Sequence, residues 1–206
     1  GVVEKLNSGD LKFKDMKNFQ NVFKFLDLAV KYGPDKPLEV DWEKSENMLA
    51  NGEAAIIHMG DWCQSTLDSF NPDANLGFLP CPVSDNPEDV TLLSSCNWTY
   101  LVNKDSEHLD LAKEYLEYIL TSEEGLKWMT EGVGAVPGAK NTQEVKGALA
   151  NDASVYVSEG KTNGWIHTIE PNGYADIVGP ALQAYMSGDM TAEQVTEEFQ
   201  NGWVVQ

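Results

Sequence analysis

Apolar residues in this chain recur mostly at the spacing of a helix and only briefly at that of a strand, and this rhythm most restricts its fold. Phe19, Val22, Phe23, Leu26, Ala29 and Val30 follow the three-and-four spacing that lines one helical face. They predict a helix over 16–32, with Asp15 at its start. Gly33-Pro34 should stop it, since glycine tolerates a left-handed turn and proline cannot continue a helix. Leu109, Ala112, Tyr115, Leu116 and Ile119 form a second stripe, and Tyr174, Ile177, Val178, Ala181, Leu182 and Tyr185 a third. Pro180 falls inside the third, where it should kink the helix or mark a later start, and Gly188 should end it.

Between these stripes lie short apolar runs. Ala54-Ala55-Ile56-Ile57-His58-Met59 reads as a buried strand, Leu76-Gly77-Phe78-Leu79 as another, and Cys96 to Val102 as a third. A short helix from Ser45 to Asn51 leads into the first run, and Gly60-Asp61 turns the chain out of it into a helix containing Trp62. Thr121-Ser122-Glu123-Glu124 and Thr191-Ala192-Glu193-Gln194 match the pattern in which a hydroxyl and an acid or amide cap a helix start. The second opens a final helix carrying Val195, Phe199 and Trp203. Helices alternating with short strands predict an α/β fold. The linker-like stretch is 82–89, rich in Pro, Ser, Asn and Asp.

Charge and motifs narrow the function. With 14 basic against 33 acidic residues, the net charge is −19, which disfavours nucleic acid and anionic lipid as partners. No apolar run approaches the roughly 20 residues of a membrane-spanning helix. Cys63, Cys81 and Cys96 form no C-x-x-C pair, and both one disulfide with a free thiol and three buried thiols are compatible with the sequence. His58, His108 and His167 lie far apart in sequence, with no zinc-binding spacing. There is no nucleophile elbow and no phosphate loop. Asp61, Glu170 and Asp176 are candidate carboxylates, but a glycosidase needs two of them about 5–10 Å apart across a cleft.

The aromatic content points to binding. Six Trp and seven Tyr are many for 206 residues. Sugars expose apolar C–H faces between hydroxyls, so their sites combine flat rings with carboxylate or amide partners. Three places offer that combination: Asp61-Trp62, Asn97-Trp98 with Thr99-Tyr100, and Trp165 with Glu170 to Tyr174 following. Asn97-Trp98-Thr99 is also a glycosylation sequon by pattern. Trp42, Trp128 and Trp203 sit in or near helical stripes and are expected in the core.

From Asn47 onward the order of features resembles the family 1 extracellular solute-binding proteins, the sugar receptors of ABC importers that include the maltose-binding proteins. The segment Asn47-Met48-Leu49-Ala50-Asn51-Gly52-Glu53-Ala54-Ala55-Ile56-Ile57-His58-Met59-Gly60-Asp61-Trp62 is similar to a family hallmark: a short helix, an apolar strand and a Gly-x-Trp turn. Leu76 to Pro80, the helix pair around Leu111 to Leu116 and Thr121 to Leu126, Gly134-Ala135-Val136-Pro137, and the ending at Ser187-Gly188 with Thr191 to Gln194 follow in the family's order.

The resemblance implies a type II periplasmic-binding-protein-like α/β fold, two lobes with a ligand cleft, of which the N-terminal portion is missing from this chain. Residues 1–85 and 156–206 would belong to the C-terminal lobe and 86–155 to the N-terminal lobe. The chain starts at Gly1 without a signal sequence; on composition alone that would favour a cytoplasmic protein, and the resemblance favours a chain whose beginning is absent. The resemblance further implies a receptor and not an enzyme, without cofactor. Its ligand would be a small molecule, a mono- or oligosaccharide, and its partners the membrane subunits of an ABC importer. It would work as a monomer outside the cell or in the periplasm, on a membrane only through a lipid anchor. A glycoside hydrolase or lyase, and a receptor for a non-sugar solute, are the alternatives. Trp62 would be the stacking platform and Asp61 its hydroxyl-binding neighbour; Asn97 and Trp98 would face the cleft on the return through the hinge. Tyr174 and Asp176 lie near the start of the penultimate helix, and Trp165 and Glu170 just before it. Asp176 stands where maltose-binding relatives carry an aromatic, which argues against maltodextrin.

Overall fold

The protein is described by a computed structural model covering residues 1–95, 99–132, 147–165 and 169–203. Its secondary structure is mostly helical. Nine α-helices among the described residues are α1 (Val2–Ser8), α2 (Asn21–Tyr32), α3 (Trp42–Ala50), α4 (Gln64–Phe70), α5 (Leu109–Thr121), α6 (Glu123–Lys127), α7 (Ala148–Ser158), α8 (Tyr174–Ser187) and α9 (Ala192–Gly202). Two short strands, β1 (Leu92–Leu93) and β2 (Thr162–Asn163), pair in parallel with Leu92 opposite Thr162. The sequence does not announce α1 or α7.

The chain divides into two compact units: Gly1–Asp41 with Pro82–Val90 and Trp165–Gln206, and Trp42–Cys81 with Thr91–Gly164. In the first, α1, α2, α8 and α9 enclose an aromatic core. Phe13 lies 5.2 Å from Phe19, 5.5 Å from Phe199 and 5.7 Å from Trp203, ring centre to ring centre, mostly tilted or edge-on. Edge-on contact sets the positive rim of one ring against the negative face of another. Trp203 is 2 % exposed and its indole N–H donates to Asn7 Oδ1 at 2.9 Å, so burial leaves no polar group unpaired. This tryptophan is core, as the stripe predicts.

That aromatic cluster also moves the predicted start of α2. Residues Phe13–Asp15 form a 3-10 turn, the helix begins at Asn21, and Asp15 caps nothing. Tucking Phe13 and Phe19 into one core requires the chain to bend between them, which outweighs the helical spacing of the sequence. Gly33 ends α2, but in an extended conformation (φ −80°), not a left-handed one. Glycine is needed there for space, because a Cβ would sit 2.4 Å from the Ala29 carbonyl oxygen.

The C-terminal signals hold closely. Helix α8 runs unbroken through Pro180, and Gly188 terminates it at φ +85°, the left-handed region where a side chain is strained. Thr191 caps α9 in the reciprocal arrangement: its Oγ1 accepts from Gln194 N, and Gln194 Oε1 accepts from Thr191 N at 2.8 Å. At the start of α6 the cap is Ser122, whose hydroxyl accepts from Gly125 N at 3.0 Å, one residue later than the pattern suggests. Thr121 instead donates its hydroxyl back to Glu117 O as the last residue of α5.

In the second unit, Leu67, Ala50, Cys63 and Leu149 form the core, with Met59, Leu76 and Phe78 packed against it. The run 54–59 is not a strand: it is irregular, and Ile56 is 85 % exposed. Nor is 76–79, although Leu76 and Phe78 turn inward while Gly77 and Leu79 stay exposed, the period-two alternation of extended chain. Both segments lack a ladder partner among the described residues, and an extended segment becomes a strand only by pairing. Phe78 N finds a side-chain acceptor instead, donating to Asp152 Oδ2 of α7 at 2.8 Å. The expected strand at 96–102 lies partly outside the described residues, and 99–102 is irregular.

Candidate functional site

A candidate site lies where α3 and the Gly60-Asp61-Trp62 turn come together in the second unit. Helix α3 begins at Trp42 and ends against Gly52, so it starts three residues before the predicted helix. The chain then returns through 54–59 to Gly60, and Asp61–Cys63 forms a single 3-10 turn leading straight into α4. Cys63 secures the turn: its backbone N–H and its thiol both donate to Gly60 O, at 3.3 and 3.0 Å.

The spacing of glycine and tryptophan has a steric reason. Atoms of the Trp62 ring lie where a side chain on residue 60 would be; a Cβ on Gly60 would stand 2.1 Å from Trp62 Cζ3. Only glycine lets the indole fold back over its own backbone. The ring is thereby held against the turn on one side and remains 37 % exposed.

A second indole accompanies it. Trp42, expected in the core, is 57 % exposed, and its ring centre lies 6.4 Å from that of Trp62 at an angle of 37°. Trp42 Nε1 donates to Glu46 Oε1 at 2.7 Å. Glu46 is 2 % exposed. The site therefore contains two half-open indoles, a buried carboxylate, and the carboxylate of Asp61. Burial holds the Asp61 carboxyl above the usual range, partly offset by hydrogen bonds from the Asp61 and Trp62 backbone N–H groups. Burial, followed by the negative charges of Glu46 and Asp61, pushes the Cys63 thiol up to about 11. Cys63 is thus a structural thiol and no nucleophile. Cys63 and Cys81 are both free.

The other expected contact residues are placed as follows. Asn97 and Trp98 lie outside the described residues. Trp165 and Glu170 are half-buried in the first unit. Asp176 is exposed in the first turn of α8. Tyr174 is in the aromatic core: it is 4 % exposed, lies 5.0 Å from Trp203 edge-on, and its hydroxyl donates to Phe199 O at 3.2 Å. Burial and then the charge of Glu170 raise its phenol pKa. Trp128, also expected in the core, is 51 % exposed. Sequence reasoning overlooks Trp42 and Glu46 as site residues; the available signal was their separation of four, which puts them on one helical face. Among the described residues no group of three His, Cys, Asp or Glu side chains could hold a metal ion, and no helix is long and apolar enough to cross a membrane.

Two half-open indoles beside carboxylate oxygens set flat apolar faces next to hydrogen-bond acceptors. The chain matches the sequence pattern of the bacterial extracellular solute-binding proteins over residues 5–126, more than half its length, and it belongs to that family. Its fold is similar to that of a Bacillus subtilis subsp. subtilis strain 168 protein, MsmE, assigned as a binding protein and solved in an open conformation. The TM-score is 0.77 at 19 % identity, over 97 % of this chain and 50 % of that one. The chain thus spans about half the length of that solved relative. No curated protein matches it.

Proposed function

We propose that the protein captures a carbohydrate and delivers it to the membrane subunits of an ABC importer, working as a monomer in the periplasm or held at the cell surface by a lipid anchor. The observation that carries this reading is the half-open Trp62 ring, fixed over Gly60 with Asp61 beside it. An indole face packs against the C–H face of a pyranose, and carboxylate oxygens accept from its hydroxyls. Asn97, Trp98, Asp176, Trp165 and Glu170 would supply further contacts in the intact protein. Tyr174, sealed among aromatic rings, serves packing in this reading. Residues 1–85 and 156–206 would form one lobe and 86–155 part of the other, with the sugar bound between lobes. Ligand contacts available only in the closed state would then drive hinge closure.

The test is a titration of the full-length protein with a panel of mono- and oligosaccharides, followed by tryptophan fluorescence and by analysis for products. Saturable binding without turnover is the expected result. Turnover would move the protein to the carbohydrate-active enzymes, and silence across the panel would mean a non-sugar solute.

A further inference from the structure

Glu46 presents an energetic puzzle. A buried carboxylate costs several kcal/mol unless paired, and an apolar residue of similar size is commonly as stable or more so. Here the carboxylate is almost wholly covered, yet its Oε1 accepts from an indole that is itself 57 % exposed. For stability alone an apolar side chain in the place of Glu46 would serve as well. What the bond does accomplish is to fix Trp42. The donor and acceptor lie four residues apart on one helical face, so the 2.7 Å bond sets the ring's direction relative to α3.

The fixed ring faces a particular neighbour. Trp42 and Trp62 are 6.4 Å apart at 37°, too far and too tilted for either to cover the other's face, and both remain partly open. Trp62 is immobilised by Gly60, and Trp42 by Glu46. Two independently anchored indoles, side by side and open, make a platform longer than one ring. A single pyranose is about the size of one indole, so a lone sugar can use one ring while a ligand of two or more units can use both.

We infer that Trp42 is a second ligand-contacting surface, oriented by Glu46 as a positioning residue, and that this pair makes the site select sugars of two or more units over single sugars. The inference rests on the carbohydrate reading above. Its consequence is specific: loss of Trp42 is felt only by ligands long enough to reach it.

The experiment measures calorimetric affinities of the full-length protein for glucose, galactose and fructose against maltose, cellobiose, sucrose and lactose. Wild type is expected to bind one of the disaccharides more tightly than either of its constituent sugars. Trp42→Ala should weaken that disaccharide by about tenfold or more while changing the monosaccharides less than about twofold. Trp62→Ala should weaken both. Glu46→Gln keeps an acceptor for the indole N–H and should restore near-wild-type disaccharide binding, whereas Glu46→Leu should behave like Trp42→Ala. The exciton signal of the coupled indoles in circular dichroism should persist in Glu46→Gln and fade in Glu46→Leu, a change that mere loss of stability would not produce in a folded variant. Trp42→Phe, which keeps an apolar ring but no donor, guards against misfolding of the alanine variant and should fall between the two. Equal losses for short and long sugars, or no loss for the disaccharide in Trp42→Ala while Trp62→Ala abolishes it, overturns the inference and leaves the carbohydrate reading standing. A wild-type protein that binds no sugar in the panel overturns both.

Discussion

The two units use the same residue type in opposite ways. In the first, Phe13, Phe19, Tyr174, Phe199 and Trp203 meet mostly tilted or edge to face, and their few polar atoms are bonded inside the unit, Tyr174 to Phe199 O and Trp203 to Asn7. In the second, Trp42 and Trp62 stay half-open while the carboxylate that holds one of them is buried. A core hides its rings and leaves charges to solvent; the α3 face reverses that. Aromatic content therefore says little about function until burial is known, and the polar company of each ring says a good deal.

Mutations should expose this contrast in order of size. Trp203→Ala removes the most enclosed ring and should cost about 3–5 kcal/mol, read as a lower denaturant midpoint of the full-length protein. An effect below about 1 kcal/mol would mean the first-unit core does not depend on its rings. Gly60→Ala comes next. Its Cβ would meet the Trp62 ring at 2.1 Å, so the ring must swing away. The expected outcome is a destabilisation of about 1–3 kcal/mol together with loss of ligand binding. Thr191→Ala, which breaks a helix cap in the first unit, should cost about 1 kcal/mol and leave affinity unchanged. It serves as the control for stability loss without site damage.

Two smaller effects follow from proton affinities. Asp61 is held above its ordinary carboxylate range by burial. A raised pKa in the folded state means that folding binds protons: the stability this supplies is complete below the unfolded value of 3.8 and is lost as pH rises through the folded pKa. Asp61→Asn removes that term, so its stability relative to wild type should improve from acid to neutral pH while sugar affinity falls. A pH-independent difference between the two proteins would show that Asp61 is not desolvated. Cys63, with its thiol near 11, should have roughly a thousandth of its population as thiolate at pH 8 and label only on unfolding. Fast labelling of Cys63 in the native protein would mean that the turn under Trp62 is open.

The parts of the fold that could be read from the sequence are those with local causes. The cap formed by Thr191 and Gln194, the stop at Gly188 and the stripe of α5 each depend on residues within a turn or two, and each is found where the spacing puts it. The strands at 54–59 and 76–79 failed for the complementary reason, since an apolar run is only half of a strand until a partner pairs with it. At the site, the pairing of Gly60 with Trp62 could be read because it lies within three residues. The approach of Trp42 to Trp62 spans twenty residues, and periodicity alone put Trp42 and Trp128 in the core.

By itself, then, the sequence determined most of the longer helices, the cap at Thr191 and the stop at Gly188, the acidic character of the chain and the order of motifs that marks its family. Tertiary structure alone decided which tryptophans are buried, that Glu46 is covered and Ile56 open, and that Tyr174 packs against Trp203 instead of facing solvent. The physical reason is range. Helical hydrogen bonds and caps close within four residues of chain, whereas burial is set by whatever distant segment arrives to exclude water, and no local pattern records that arrival.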